Sequence, residues 1–490
     1  MSITLAAPAS RPEEKLVPPP RVAGALYVVA MFMTIMDQTI LNVALPAIGS
    51  TFGVSASAGA AVVVGYLVSL AVVIPSAGWI GDRIGARRAL LLALAVFTAA
   101  SAACGFAATY GQLVAFRVVQ GAGGGLAIPV ATALLYRALA PERRARASAA
   151  LSAPVWVAPA LGPVLGGLLV EQLSWRWTFL INVPIGVAAI VAGAVFLRDD
   201  AARATVPFDG LGFLLAGVGF AGVLFAVSVA PERGWGDPAI VAAGVGGVAA
   251  VAALVRRQLL REHPLIDVRL LADRLFRATN VTHAFGYGAF IAVVFLVPLY
   301  VQVGLGHTAL ESGLTTLPEA VAGVLFSPVV SRLYPVVGPR RLAAGGLAGT
   351  AIAAALFVLT GASSSLWQIR GLMVFTGATF TATYIAIQVS SFATITDRQT
   401  GHASSLFSVQ RQLSAALGVA VAGAVLGATA PLAATTTARA ATVPGFHRAF
   451  LVAAGLSLVA ALMALRIRDD DAAGTMTRRA RPAAPAGVGG

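Results

Sequence analysis

Long apolar segments, each followed by a short polar stretch, run through nearly the whole chain of 490 residues. A helix of about 20 apolar residues crosses the hydrocarbon core of a bilayer, and spanning helices tolerate Gly and Pro. The pattern predicts fourteen spanning helices, over residues 22–46, 57–79, 89–108, 111–138, 148–170, 178–197, 209–230, 238–255, 279–303, 313–335, 341–360, 366–391, 403–428 and 448–466. We therefore predict an all-α polytopic membrane protein.

Polar side chains interrupt the first apolar segment at helical spacing. Thr34, Asp37, Gln38 and Asn42 fall on one face of the predicted helix, which is otherwise apolar. A carboxylate at this depth costs about 2.5–3.5 kcal/mol on insertion scales, so Asp37 needs a partner, a proton or a water-filled cavity. We expect this face to line a cavity between helices. The alternative is that Asp37 only fixes helix packing.

Composition supports the membrane class. Hydrophobic residues make up 58% of the chain and charged residues only 11%, against about 25% charged residues in an average soluble protein. The single cysteine, Cys104, lies in an apolar segment, which excludes a disulfide framework and a cysteine-based metal site. No small-residue cleavage site follows the first apolar segment, so we expect a retained anchor after a disordered tail. We predict no cofactor and no metal.

The positive charge of the chain is unevenly placed. The formal net charge is +14, and most of the 34 Arg and Lys residues lie in the tails and in alternate loops on the side of the N-terminus. The positive-inside rule then places both termini in the cytoplasm. This placement explains the net charge without nucleic acid. The predicted location is the bacterial cytoplasmic membrane, with the lipid bilayer as a partner.

An internal repeat divides the chain. Gly85 precedes Ala-Arg-Arg, Gly338 precedes Pro-Arg-Arg, and Arg117 returns as Arg370 at the same offset. Two parallel repeats with a site between them form a transporter architecture. The predicted divisions are a cytoplasmic tail (1–21), a six-helix bundle (22–200), two inserted helices (201–256), a cytoplasmic linker (257–278), a second six-helix bundle (279–467) and a second disordered tail (468–490).

The loop after the second predicted helix carries a glycine- and charge-rich motif. Gly78 and Gly85 permit tight turns and close helix approach. Asp82, between them, is placed to accept hydrogen bonds from Arg83 or Arg87, or to cap a helix. The alternative is an ordinary positively charged loop, but the order of glycine, acid and base favours a conformational motif.

The fourth predicted helix buries a guanidinium. Arg117 lies about 10 Å deep at 1.5 Å per residue, and Asp37 lies about 13 Å deep by the same measure. The two side chains are therefore placed to form an ion pair or to have Arg117 compete with a proton for Asp37. Gly121 opens a glycine run that loosely suggests a dinucleotide loop. Without a preceding strand, close helix packing is the better interpretation.

The fifth predicted helix combines prolines with glycines. Gly162, Pro163, Gly166 and Gly167 lie within two helical turns of one another. Proline removes a backbone donor and bends the helix, whereas glycine lets a neighbouring helix approach closely. A passive kink and a helix that moves against its neighbour both fit this pattern.

These motifs together resemble the major facilitator superfamily, specifically its fourteen-helix drug:proton antiporter branch. Residues 37–46 are similar to the helix 1 motif of that branch, 78–90 to the superfamily loop motif, and 117–121 to the helix 4 motif tied to proton coupling. Residues 162–167 are similar to the helix 5 antiporter motif, and 175–186 also resemble this branch. The resemblance implies a major-facilitator fold of two six-helix bundles plus two inserted helices, and a monomer.

The resemblance also implies a function. It is proton-driven export of drugs, dyes and antibiotics by alternating access, so the chain would be a multidrug efflux transporter rather than an enzyme. The proton-coupling candidates are Asp37, Arg117 and Glu319. We expect the substrate cavity to be lined by Asn42, Tyr66, Tyr287, Tyr384, Gln388 and Arg411, together with the coupling residues.

Three features depart from the family pattern. The second loop copy, 331–338, lacks the acid of the first, so we expect a weaker latch there. Glu319 is a second protonation site, a cation contact or an acid near the outer water boundary. Arg370 and Arg411 bind anionic substrate groups or hydrogen-bond to carbonyls and polar neighbours. The acidic run 469–471 is expected in the solvated tail rather than in a metal site.

Other functions fit less well. A dedicated exporter of one metabolite or antibiotic, and a facilitator that uses no protons, remain open alternatives. An intramembrane enzyme would need a cluster of acids, His or Cys at membrane depth, and a sensor would need an appended soluble domain. ATP drive would need a P-loop Gly-Lys-Ser/Thr, whereas Lys15 lies between Glu14 and Leu16.

Overall fold

The computed structural model describes residues 20–54, 56–138, 153–197, 207–361, 363–396, 399–429 and 436–476. Most of both predicted tails lies outside these residues. Within them the chain is α-helical, with short 3-10 and π-helical segments and no strand. The prediction of an all-α protein is therefore confirmed.

Sixteen α-helices lie in the described part of the chain, and we number them in order. Their bounds are α1 Pro20–Phe52, α2 Ala56–Val73, α3 Ala77–Ile84, α4 Ala86–Gly105, α5 Tyr110–Ala138, α6 Ala153–Gln172, α7 Trp177–Leu180, α8 Asn182–Phe196, α9 Gly210–Arg233, α10 Pro238–Leu260, α11 Arg274–Leu299, α12 Ala309–Val337, α13 Pro339–Leu356, α14 Leu366–Ser391, α15 Thr400–Thr429 and α16 Thr436–Ala464. A 3-10 turn at Ile74–Ser76 joins α2 to α3, and a π-helical turn at Tyr300–Gly304 extends α11.

The helices account for the predicted spans. Thirteen segments of the described residues are long and apolar enough to cross a membrane. The predicted fifth span, 148–170, corresponds to α6, of which Val157–Gln172 is an apolar helix within the described residues. With α6 included, the count agrees with the fourteen predicted spans. Two spans are each built from two helices, namely α2 with α3 and α7 with α8.

The two copies of the arginine loop share a backbone conformation. Gly85, between α3 and α4, has φ 86° and ψ 142°, and Gly338, between α12 and α13, has φ 87° and ψ 157°. A side chain with a Cβ is strained at positive φ, so glycine at both places permits the turn. The matching geometry supports the internal repeat. We call the end of the molecule that holds these two turns the arginine-rich end.

Glycines allow backbone-to-backbone contact between helices. A Cβ on Gly162 or Gly166 would strike α1, and a Cβ on Gly167 would lie 2.6 Å from the carbonyl oxygen of Ala309 in α12. Small residues let membrane helices approach until their backbones touch. Because α6 and α12 occupy different halves of the repeat, the contact at Gly167 joins the two predicted bundles. A second contact between the halves is made by α2 and α15.

The two inserted helices form a hairpin that packs through α9 against α2 and α15. Asp209, just before α9, accepts hydrogen bonds from Arg257 Nε (2.8 Å), Gln258 Nε2 (3.0 Å) and Arg261 Nη1 (3.2 Å) at the end of α10. Burial raises the pKa of this carboxyl. The hydrogen bonds from Arg257, the Gly212 amide and Gln258, with the charge of Arg261, outweigh it, so the pKa of Asp209 lies below its ordinary value.

The predicted linker begins too early in the chain. Its first residues, from 257 on, belong to α10, which continues to Leu260 because its last turn holds Asp209. The link itself contains the 3-10 helix Val268–Ala272 and ends where α11 begins at Arg274. The remaining boundaries of the two bundles stay a prediction.

The second tail also begins later than predicted. Asp469–Thr475 form a 3-10 helix, and the Tyr334 and Thr475 hydroxyls lie 2.8 Å apart. The carboxylate of Asp469 accepts a hydrogen bond from the Arg340 backbone amide (3.0 Å) in the first turn of α13. An acid stabilises a helix N-terminus because the amides there lack partners. The second loop copy, 331–338, has no acid of its own, and Asp469 supplies one beside it.

Candidate functional site

An ion pair between Asp37 in α1 and Arg117 in α5 lies inside the first bundle. The Nη1 atom of Arg117 donates to Oδ2 of Asp37 over 2.5 Å, and both side chains are 1% exposed. The Nε atom of Arg117 donates to the Val62 carbonyl of α2 (3.3 Å). The sequence predicted this pair from the similar depth of the two residues.

Amide side chains complete the contacts of the pair. Gln120 donates to Oδ1 of Asp37 (2.8 Å) and accepts from Arg117 (2.8 Å), so it bridges the acid and the base. Asn182 of α8 also donates to Oδ1 of Asp37 (3.2 Å). Ser101 of α4 accepts from Gln120 (3.1 Å) and Asn182 (3.2 Å), and donates to the Phe179 carbonyl (2.8 Å). Helices α5 and α8 therefore contact the carboxylate of α1 directly, and α4 and α7 join the same hydrogen-bond cluster through Ser101 and the Phe179 carbonyl.

Two aromatic rings enclose the guanidinium. The Cζ atom of Arg117 lies 4.1 Å from the ring centre of Tyr66 and 5.6 Å from that of Phe179. Such contacts stabilise a cation more strongly when water is absent. Tyr66, predicted in the substrate cavity, is fully buried here and is not among the residues that line the cavity. Gly121 of α5 has no side chain, and a Cβ there would lie only 2.5 Å from the Tyr66 carbonyl oxygen. Helices α2 and α5 therefore touch at this level, and Tyr66 faces Arg117.

The ion pair depends on the charge of Asp37. A protonated Asp37 would no longer supply the counter-charge of Arg117, and removing one partner of a buried ion pair costs about 3–5 kcal/mol. The contact between α1 and α5 at this site is therefore sensitive to the protonation state of Asp37.

A separate cavity of about 270 Å³ lies between the two halves of the repeat. Five of the predicted residues line it, namely Asn42, Tyr287, Glu319, Tyr384 and Arg411. Gln38 also lines the cavity, although its neighbour Asp37 points into the ion-pair cluster. The polar face of α1 is thus divided between two sites.

Some predicted cavity residues lie elsewhere. Asp37 and Arg117 are enclosed in the first bundle, and Gln388, one turn beyond Tyr384 on α14, is not among the lining residues. Arg370 lies in the second turn of α14, where its Cζ atom is 4.6 Å from the ring centre of the exposed Trp367. The helical rotation of α14 decides which of its polar residues face the cavity.

The end of the cavity away from the arginine-rich end is closed by contacts between the halves. Gln302, in the π-helical turn, donates to the Val43 carbonyl of α1 (3.0 Å). Glu171 at the end of α6 accepts from the Leu310 amide of α12 (2.8 Å). These bonds and the glycine contacts of α6 with α12 hold the halves together at this end.

The loop motif connects α4 to α8 at the arginine-rich end. Arg87 Nη2 donates to the Ala194 carbonyl (2.6 Å) in the last turn of α8, where a cation satisfies carbonyls that lack helical partners. Asp82 and Arg83 are exposed, and Gly78 has no atom close to where its Cβ would lie. Their predicted part in conformational change stays a prediction.

The fold and the site define a helical membrane protein of transporter architecture, and comparison with known proteins identifies the family. The model of the Major Facilitator Superfamily matches residues 27–419. The chain belongs to the Major Facilitator Superfamily.

Curated relatives agree with this assignment. A multidrug resistance protein B homolog from Mycobacterium tuberculosis is 33% identical over 411 residues, which cover 83% of this chain and 76% of that protein. A protein from Serratia proteamaculans that carries the name multidrug resistance protein MdtD is 30% identical over 447 residues, which cover 91% of this chain and 92% of that protein.

Solved structures share the fold. The crystal structure of the POT family transporter PepTSo superimposes with a TM-score of 0.65 over 91% of this chain and 97% of that chain, at 14% sequence identity. At this identity the likeness shows the fold alone.

The sequence analysis missed four residues of the ion-pair cluster. Gln120 and Asn182 lie inside motifs that the sequence analysis singled out, 117–121 and 175–186, so a count of polar side chains at membrane depth would have found them. Phe179 lies inside the second motif but is apolar, and Ser101 lies in neither motif. Serine is common in membrane helices, and only the packing of α4 against α7 brings it to the cluster.

Proposed function

We propose that this protein exports amphipathic small molecules across the bacterial cytoplasmic membrane in exchange for protons. The observation that carries the proposal is the buried carboxylate of Asp37, which is held by Arg117, Gln120 and Asn182 and lies beside the cavity. Intramembrane carboxylates with a cationic partner are typical of proton relays.

Helix α1 supplies the coupling in this proposal. Asp37 faces the cluster, while Gln38 and Asn42 on the same helix line the cavity. A proton on Asp37 weakens the hold of α5 on α1, and a shift of α1 then changes the cavity wall. Coupling requires only that proton and substrate bind the two conformations of the transporter with different affinities. Alternating access of the cavity follows if the halves open at one end as they close at the other.

The cavity suits amphipathic compounds. Aromatic and aliphatic side chains form most of its wall, with a few polar groups among them, which is the usual composition of small-molecule sites. The two curated relatives carry multidrug resistance names, which supports a broad substrate range here. A dedicated exporter remains the second candidate, since one cavity of this kind also fits a single metabolite.

Proton flux from energised proteoliposomes tests the proposal. Lipophilic cations, neutral drugs and amphipathic anions are added in turn while the internal pH is recorded. We expect several compounds to release protons, and we expect Asp37→Asn to remove the response. The double variant Asp37→Asn/Arg117→Gln leaves no unpaired buried charge and serves as a second coupling-deficient protein. Normal flux in both variants would refute coupling at Asp37, and a response to one compound alone would favour the dedicated exporter.

Glu319 was also predicted to couple protons. It lies in the cavity, apart from the Asp37 cluster, and its part in coupling stays a prediction. The flux assay with Glu319→Gln tests it, because a coupling residue removes flux for every substrate, whereas a substrate contact removes it for some.

A further inference from the structure

The cavity contains two side chains of opposite charge. They are Glu319 of α12 and Arg411 of α15, and no other Asp, Glu, Lys or Arg is among its described lining residues. Asp37, expected to add negative charge to the cavity, is paired with Arg117 inside the first bundle. The formal charge of the cavity wall is therefore balanced.

The two charges do not neutralise each other directly. No ion pair joins Glu319 to Arg411 among the described residues, whose buried pairs are found elsewhere. The Nε atom of Arg411 is buried and has no hydrogen-bond partner within the described part of the chain. Tyr384 lines the same cavity as the guanidinium. Both charges thus have binding capacity left for a ligand.

Flat aromatic surfaces lie beside these charges. The rings of Phe290 and Phe380 stack with their centres 3.6 Å apart and their planes 3° apart, and both line the cavity. Tyr287, which lines the cavity together with Glu319 and Arg411, is 5.9 Å from Phe380 between ring centres. The wall therefore offers an acid, a base and a planar apolar surface.

We propose that the preferred substrates are zwitterionic amphipaths with a planar ring system, a carboxylate that pairs with Arg411 and a protonated amine that pairs with Glu319. This inference rests on the proposed function and names its substrate class. A purely cationic compound would leave Arg411 without a counter-charge in a poorly solvated site, and a purely anionic one would leave the Glu319 carboxyl without its amine partner. An unmatched buried charge is an effective means of rejecting a ligand.

A matched ligand series tests the inference on the full-length protein in lipid nanodiscs. The probes are a fluoroquinolone with a free carboxylate and a free piperazine amine, its methyl ester, which is a cation, and its N-acetyl derivative, which is an anion. Their intrinsic fluorescence reports binding. We expect the zwitterion to bind at least about tenfold more tightly than either derivative, because each derivative loses one charge-assisted contact.

Charge-removing variants assign each end of the ligand. In Arg411→Gln the difference between the zwitterion and its ester should disappear, while the difference from the N-acetyl derivative remains. In Glu319→Gln the difference between the zwitterion and its N-acetyl derivative should disappear, while the difference from the ester remains. Gln388→Asn, a neutral change one turn beyond Tyr384 and outside the cavity lining, is the control and should keep both differences.

Equal binding of all three probes by the unaltered protein would overturn the inference without any variant. An equal loss for all three probes in both variants would also overturn it, since that result indicates a structural effect. The flux assay separates the two proposals. Proton flux driven by cations as well as by zwitterions would leave proton-coupled export standing and refute the zwitterion preference. Selective zwitterion binding without proton flux would leave the zwitterion preference standing and refute proton-coupled export.

Discussion

At the scale of single residues, the Asp37–Arg117 pair balances two opposed electrostatic effects. Placing either charge in the membrane is costly, and hydrogen bonds offset part of that cost. Gln120 and Asn182 donate to Oδ1 of Asp37, and the Val62 carbonyl accepts from Nε of Arg117. A site arranged in this way is stable in one protonation state and less stable in the other. That property suits a coupling site better than a structural one.

A double-mutant cycle measures this dependence. We expect Asp37→Asn and Arg117→Gln each to destabilise the protein by about 3–5 kcal/mol, because each leaves a buried charge or its ligands unmatched. The double variant should lose less than the sum of the single losses. Thermal unfolding in detergent provides the comparison, and additive losses would contradict a direct pair.

Asp209 gives a prediction for pH dependence. Its pKa is lowered in the folded protein, so its ion pairs contribute stability at pH values above the unfolded pKa of about 3.9, and the contribution is lost as the pH falls through the folded value. After correction for the intrinsic exchange rate, hydrogen exchange of α9 should therefore not depend on the Asp209 carboxyl between pH 7 and about pH 5. Below about pH 4 the exchange of α9 should increase. Asp209→Asn should show weaker protection of α9 already at pH 7. The same protection in both proteins at pH 7 would contradict the role of Asp209.

At the scale of elements, contacts between helices depend on missing side chains as much as on present ones. At the end away from the arginine-rich end, α6 and α12 touch through Gly167 and Gly313, where a Cβ on Gly313 would strike the Pro163 carbonyl. Such a contact forms and separates without rotamer rearrangement. It is suited to halves that rock against each other.

Gly313→Ala should prevent this end of the cavity from closing fully. We expect faster labelling of Asn42→Cys, in a Cys104→Ser background, by an impermeant thiol reagent added from that end, together with at least a tenfold loss of flux. Gly371→Ala, where the structure shows no atom within 4 Å of the new Cβ, is the control and should change neither quantity. Unchanged labelling in Gly313→Ala would refute the closing role of this contact.

Asp469 acts on an element far from it in sequence. Its hydrogen bond to the Arg340 amide replaces a cap that Gly338 cannot supply. We expect Asp469→Ala to cost about 0.5–2 kcal/mol, as other helix caps do, and to increase hydrogen exchange in the first turn of α13. Asp470→Ala is a matched control, because Asp470 is exposed. Equal effects of the two substitutions would mean that Asp469 is no cap.

At the scale of the whole molecule, the two related halves meet along α6 with α12 and α2 with α15, and the cavity lies between them. The inserted hairpin packs beside α2 and α15 rather than between the halves. It therefore adds to the membrane-facing surface without occupying the cavity. The fourteen-span arrangement keeps the central site of two six-helix bundles.

The orientation in the membrane is a prediction that single cysteines test. In a Cys104→Ser background, an impermeant maleimide added to intact cells should label Gly236→Cys, which lies in the exposed turn between α9 and α10. Asp470→Cys, near the arginine-rich end, should be labelled only after permeabilisation. The reverse pattern would place the arginine-rich end outside the cell.

The sequence by itself determined the spanning helices, the repeat and the similar depth of Asp37 and Arg117. Hydrophobicity and helical periodicity are local properties, and the depth of a residue in a straight helix follows from its position alone. Only the tertiary structure decided what each polar side chain faces. Tyr66 packs against Arg117 and does not line the cavity, and Asp469 caps a helix that is distant in the sequence. Glu319 and Arg411 both line the cavity but form no ion pair with each other. Helix rotation and contacts between residues far apart in the sequence fix these outcomes, and neither is encoded in a local pattern.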